Sequence, residues 1–309
     1  MLLVTNIFAS DILKAHLFYG CADFVSQKKY FYLAGLPRTG STVLGEILNQ
    51  NKDLHVSPAS PLSEIVSEVL IKWRRNTGTL KAYKHPDQLA NVWRGIRDGM
   101  YLHRSENHII DKSWAWHMND AIDSTREILG EEMKVICTVD DIADCLASFI
   151  MLIRANPDHH SFIDDHLKSR RLELSDANRC AAMMDPRIVT SVGWCYENLK
   201  KAWSGKNRKN LLLIERRDLV SAPQKTLDSI YEFLGCAEIS VWGENETHFF
   251  DSIEKEIIED DGSAYGIPNL HQLGPSLRDR TWNAKEVLGN QLFFKYKRLE
   301  FWRPRKRGF

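Results

Sequence analysis

Apolar residues follow two spacings along this 309-residue chain. Short continuous runs occur at YFYLAG (30–35), HIID (108–111), KVICTV (134–139) and LLLIE (211–215). Strands buried on both faces, as in a parallel sheet, have this form. Between the runs, apolar residues return every third or fourth position. STVLGEILNQN places Val43, Leu44, Ile47 and Leu48 at helical spacing, and DIADCLASFIMLIR after the third run has the same period. Segments 62–73, 85–103 and 190–203 read as further helices. SAPQKTLDSIYEFLG (221–235) is predicted as a helix with a serine cap, Pro223 in its first turn and a closing Gly235. Strands separated by helices predict an α/β fold, three layers α/β/α around a central parallel sheet, formed as a single domain over residues 1–309. Ligands of such sheets bind at the carboxyl ends of the strands, so the loops after the four runs are expected to converge on one crevice.

Composition narrows the partners. Hydrophobic residues make up 43% and charged residues 27%, a globular balance. Lys+Arg and Asp+Glu number 41 each, so no net basic field draws the chain to nucleic acid or an anionic membrane. The terminal RPRKRGF reads as a solvated end. No apolar run approaches the roughly 18 residues of a membrane span, and the N-terminus lacks the basic region of a signal peptide. The six cysteines, Cys21, Cys137, Cys145, Cys180, Cys195 and Cys236, are scattered without a CxxC pair, which fits free thiols in a reducing compartment. These features predict a cytoplasmic protein. The cluster PDHHSFIDDH (157–166) reads as a solvated loop and helix start rather than a metal site, and no metal is expected.

The chemistry begins in the loop after the first run. Gly35-Leu36-Pro37-Arg38-Thr39-Gly40 has the glycine spacing of a phosphate-binding P-loop, GxxxxGK[ST]. Ser41 stands at the lysine position, Thr42 follows, and the basic residue, Arg38, lies inside the loop. Backbone amides of residues 38–42 and the N-terminus of the following helix still suit a phosphate. The missing lysine weakens an ATP- or GTP-hydrolysing reading.

GLPRTGSTVL resembles the 5′-phosphosulfate loop of sulfotransferases that use 3′-phosphoadenosine 5′-phosphosulfate (PAPS), with Pro37, Arg38, Thr39, Gly40, Ser41 and Thr42 matching position by position. The resemblance implies a P-loop NTPase-like sulfotransferase fold and transfer of a sulfuryl group from PAPS to a hydroxyl or amine acceptor, releasing 3′-phosphoadenosine 5′-phosphate (PAP). It implies that Arg38 stabilises charge developing on the leaving phosphate, while the loop amides and the hydroxyls of Thr39, Ser41 and Thr42 hold the 5′-phosphate. KVICTVDDIADCLASF resembles the segment that grips the 3′-phosphate, where the family has an arginine at the strand end and a serine eight residues later. Ser148 matches the serine, but Asp140 occupies the arginine position. An aspartate there is expected to repel the phosphate and impair binding, so that Asp140→Arg would tighten it. Alternatively, Arg216 or Arg217 takes over the arginine's part, or the donor lacks a 3′-phosphate. RRDLVSAPQKTLDSIYEFLG matches a later family segment at Asp218, Leu219, Pro223 and Phe233-Leu234-Gly235, with Arg216 replacing a tyrosine. AYGIPNLHQLGP (264–275) resembles a loop that in some members closes over the nucleotide.

Lys112, after the second run, sits where members of the family place a catalytic lysine, and His117 follows five residues on. His55, Glu64 and His117 are the candidates for the base that takes the acceptor's proton. The family's glutamate position falls on Ala59, near Ser57 and Ser60. Trp114 and Trp116 belong either to the core or to an aromatic acceptor pocket. Two other readings stay open: a small-molecule kinase with a degenerate P-loop, and a non-catalytic nucleotide-binding protein of the same fold, for which Asp140 is the argument.

Overall fold

A computed structural model describes residues 28–75, 77–83, 85, 87–156, 161–235, 248–250 and 276–303. Five parallel strands form its sheet: β1 (Lys29–Gly35), β2 (Leu54–Val56), β3 (His108–Lys112), β4 (Val135–Val139) and β5 (Leu211–Glu215). Their order is β2-β3-β1-β4-β5. The chain fills one side of β1 first and then crosses to fill the other, which leaves β1 in the centre with its following loop at the switch point. In register, Phe31 lies opposite Ile110, and Gly35 opposite Thr138.

Alternation along β1 divides the core into two layers. Phe31 and Leu33 point to one face, where they meet α1 (Ser41–Leu48), and α11 (Pro223–Leu234) packs there through Leu227 and Ile230. Tyr32 and Ala34 point to the other face, packed with α2 (Leu62–Arg74), α4 (Gln88–Met100), α6 (Ile142–Ala155) and α9 (Val192–Trp203). Leu44, Ile47 and Leu48 are completely buried, each contributing about 1.5–3 kcal/mol of apolar transfer. The remaining helices are α3 (Gly78–Ala82), α5 (Asn119–Leu129), α7 (Phe162–Ser169), α8 (Asp176–Met183), α10 (Arg216–Ser221) and α12 (Ala284–Tyr296), the last broken at Gly289, and a 3-10 turn covers Lys206–Asn210.

The α/β expectation holds, with differences at short elements. β2 has only three residues, and no apolar run in the sequence marks it. Ser221 ends the short helix α10, so Ala222, not a serine, precedes Pro223 at the start of α11; Gly235 closes it with φ 64°. The PDHHSFIDDH segment is described from Ser161, which caps α7 by accepting from the Asp164 amide. Residues 264–275 and 304–309 lie outside the described residues, as do Cys21 and Cys236. Cys137, Cys145, Cys180 and Cys195 are free and buried. Among the described residues no helix is long and apolar enough to cross a membrane.

Candidate active site

A cavity of about 740 Å³ opens at the carboxyl ends of β1, β3 and β5. α6 reaches it through Ser148 and Phe149, so all four predicted loops or their following helices contribute. Its floor is the loop after β1. Gly40 has φ 92° and precedes α1 with no side-chain cap, and the first helical bond runs from Leu44 N–H to Gly40 O at 3.0 Å. The amides before it therefore have no partner within the helix and carry the positive end of its dipole. Pro37, Arg38, Gly40, Ser41 and Thr42 all line the cavity.

Arg38 holds the left-handed backbone conformation, φ 66°, rare for a residue with a side chain. Its Nε donates to Ser148 Oγ at 3.2 Å, which joins the two residues from separate sequence segments. Lys112 reaches the same loop from β3, where its Nζ donates to Thr42 Oγ1 at 2.9 Å. Its backbone is fixed by the turn after β2: Lys112 N–H donates to Ser57 Oγ at 2.8 Å, and Ser60 N–H donates to Lys112 O at 3.0 Å. Arg38, Lys112, Arg216, Arg278 and Arg280 line the cavity; among the described residues the single carboxylate in its wall is Glu64. That balance suits an anionic ligand.

Two expectations change. The Thr39 hydroxyl turns inward, donating to Leu36 O at 2.6 Å and bonding Thr138 Oγ1 at 2.7 Å. It ties the loop to β4 and does not line the cavity. His117 is fully buried and off the cavity wall, because the chain folds into the core after Trp114. His55 is likewise off the wall, buried on β2 with Nδ1 2.6 Å from Arg104 Nη2. Of the three candidate bases, Glu64 at the start of α2 is the one placed in the cavity.

The burial of His117 has a measurable consequence. Burial pushes its imidazole down to about 4, partly offset by the backbone at Cys195. Above the ordinary value of 6.5 neither state holds the extra proton. As pH falls through 6.5 towards 4, the unfolded chain binds it and the folded one does not, so stability is lost over that window. Between pH 7 and pH 4.5 this single group is expected to cost about 2–3 kcal/mol. Urea melts of wild type and His117→Leu at the two pH values check it; equal acid losses in both would disprove the assignment.

The two tryptophans separate. Trp114 lines the cavity, edge-on to Trp194 with centroids 4.9 Å apart. Trp116 is core, and its Nε1 donates to Asp111 Oδ1 at 2.6 Å. Asp111 also accepts from Ser60 Oγ at 2.5 Å and from the Tyr101 hydroxyl. β3 thus carries an aspartate near its end, as a metal-binding strand of an NTPase would, but it is wholly buried and turned from the cavity. Cys195 lines the wall, yet burial pushes its thiol up to about 12, too high for a nucleophile at neutral pH.

Asp140 is buried at the end of β4, beside Arg280. Burial pushes its carboxyl up, against the pull of that guanidinium. Asp144, one helical turn on, is pushed up to about 6 by burial, with Arg280 opposing and the Asp140 and Asp141 carboxylates adding to the rise. Arg216 is in the cavity wall, whereas Arg217 is exposed and paired with Glu215. Sequence reading missed Arg278 and Arg280; they lie just past the glycine-rich 264–275 stretch, and nothing local marks them.

A family model described as "Sulfotransferase domain" matches residues 28–248. No curated protein matches the chain. Among solved structures, the chain is similar to a sulfotransferase domain from the curacin biosynthetic pathway, at 15% identity and TM-score 0.48, over 84% of this chain and 94% of that one. It is also similar to the sulfotransferase domain of the Synechococcus PCC 7002 olefin synthase, at 17% identity and TM-score 0.44, over 89% and 98%. A mouse sulfotransferase complexed with PAP matches at 14% identity and TM-score 0.40, over 71% and 63%.

Proposed function

The chain belongs to the sulfotransferase domain family, and from that premise we propose that it moves a sulfuryl group from PAPS to a hydroxyl or amine acceptor and releases PAP. The observation that carries this reading is that Arg38, in the loop before α1, and Lys112, bonded to Thr42 in the first turn of α1, line the same cavity. In the transfer, the bond from sulfur to the bridging oxygen of PAPS breaks and a bond from sulfur to the acceptor forms. Negative charge develops on the departing phosphate, where Arg38, Lys112 and the amides of α1 stabilise it. The Ser41 and Thr42 hydroxyls hold the 5′-phosphate and Ser148 contacts the 3′-phosphate. The acceptor's proton passes to Glu64.

Pro61, Trp114, Phe149 and Phe162 give the cavity apolar lining beside its cations, which supports an acceptor with an apolar body. The buried, fully bonded Asp111 tells against a kinase, which needs an accessible carboxylate for magnesium. Thermal shifts separate the readings. PAP is expected to stabilise the chain by about 2.7 kcal/mol at a hundred times its Kd, and PAPS with 2-naphthol as a probe acceptor is expected to yield PAP. Stabilisation by ATP with magnesium and not by PAP would reject the proposal.

A further inference from the structure

The aspartate at the end of β4 lies behind a cavity wall rich in cations, and its neighbours account for it. Asp140 Oδ2 lies 2.6 Å from Arg280 Nη2, and Asp144 Oδ2 lies 3.4 Å from Arg280 Nη1. Arg280 Nη2 also donates to Arg38 O at 3.3 Å, and its guanidinium lies 4.9 Å over the Trp282 ring. The segment bearing Arg280 is held from its other side by Arg216, which donates to Arg278 O at 3.0 Å and pairs with Asp279 at 3.4 Å. Arg280 is thus clamped between the ends of β1 and β4, with 13% of its side chain exposed, and lines the cavity.

We propose that Asp140 is a positioning residue that holds Arg280 in the cavity wall, so that the cation absent from the end of β4 is supplied by a distant segment and binds the 3′-phosphate of the donor. This inference rests on the PAPS reading above. A guanidinium carries five N–H donors in a rigid fork, so pairing with one carboxylate does not exhaust it. The carboxylate has two opposed effects on a bound dianion: it repels the ligand, and it fixes the group that attracts it. The clamp of Arg280 on both sides argues that fixing prevails.

The sign of one substitution decides between them. Binding of PAP and of 5′-AMP, which lacks the 3′-phosphate, is measured by calorimetry on the full chain, with melting curves as a check of folding. Wild type is expected to prefer PAP. Arg280→Gln is expected to weaken PAP by about tenfold or more, the loss of a charge-assisted hydrogen bond, and to leave 5′-AMP unchanged. Asp140→Asn is expected to weaken PAP severalfold, again without effect on 5′-AMP. Asp140→Arg alone, which the sequence suggests as an improvement, is expected to weaken PAP, because it sets two guanidinium groups against each other. The double swap Asp140→Arg/Arg280→Asp rebuilds the pair in reverse and is expected to recover the preference. Tighter PAP binding in Asp140→Asn or Asp140→Arg, or an unchanged preference in Arg280→Gln, overturns the inference while leaving the PAPS reading intact. Absence of PAP binding in wild type overturns both.

Discussion

Arg38→Ala is expected to lower sulfuryl transfer from PAPS to 2-naphthol by about 10²–10³-fold, the usual effect of removing one preorganised group from developing negative charge. The loss should fall on kcat more than on KM, since the leaving oxygen gains charge only in the transition state. The fold should survive. The hydrogen bond that Arg38 makes to Ser148 is worth about 1 kcal/mol. The backbone supplies a control. At φ 66°, Arg38 occupies a region that costs a residue with a Cβ about 1–2 kcal/mol. Arg38→Gly relieves that cost and should therefore melt above Arg38→Ala while being equally slow. Arg38→Lys keeps a charge but loses the planar fork, and should fall between the alanine variant and wild type. Rates of PAP release and melting temperatures for the three variants test this. Near-wild-type turnover in Arg38→Ala would remove Arg38 from the chemistry, and a glycine variant as active as wild type would make the loop's backbone the operative group.

The parts of the fold that could be read in the sequence are those with a local cause. β1, β3 and β4 are buried on both faces, and β5 packs apolar residues on both, so all four appear as unbroken apolar runs; α1 and α6 show their period because one side meets the sheet. β2 escaped because three residues carry no period, and α5 because only Ile122 and Leu129 of its eleven residues are both apolar and buried, two of its buried positions being Ser124 and Thr125. The break in α12 depends on Gly289 taking φ 73°, a conformation glycine permits without announcing. The same division runs through the site. The phosphate loop is a local structure, so its glycines, Arg38 and the following hydroxyls could be placed from the string alone. Which way a hydroxyl turns is not local: Thr39 faces β4 because Thr138 lies opposite the end of β1. His117 stands close to Lys112 in sequence, but the turn between them sends the histidine into the core. The meaning of Asp140 depends on Arg280, far along the chain, and no spacing rule connects them.

Gly35→Ala is expected to be the most destabilising single methyl group in the site, at more than about 4 kcal/mol, the range reached only when backbone or core packing is directly blocked. Gly35 is the last residue of β1, with φ 128°, and a Cβ there would lie 2.2 Å from Thr138 O. The obstacle is backbone, so no side chain can rotate away. Thr138 O also accepts from Leu36 N–H at 2.8 Å, the bond that carries the chain from the sheet into the phosphate loop. Making room at Gly35 means separating β1 from β4, and that separation also pulls on the Thr39–Thr138 tie. Gly40→Ala is the comparison. Its φ is 92°, but a Cβ would meet only Val43 and Arg216 side chains at 3.5 and 3.9 Å. It should lose about 1–2 kcal/mol, the conformational penalty alone. Urea melts of the two variants separate strain from collision: a gap of several kcal/mol is expected. Equal losses would mean that β1 and β4 part easily at their carboxyl ends, and the loop would then owe its shape to its own glycines rather than to the strand it is tied to.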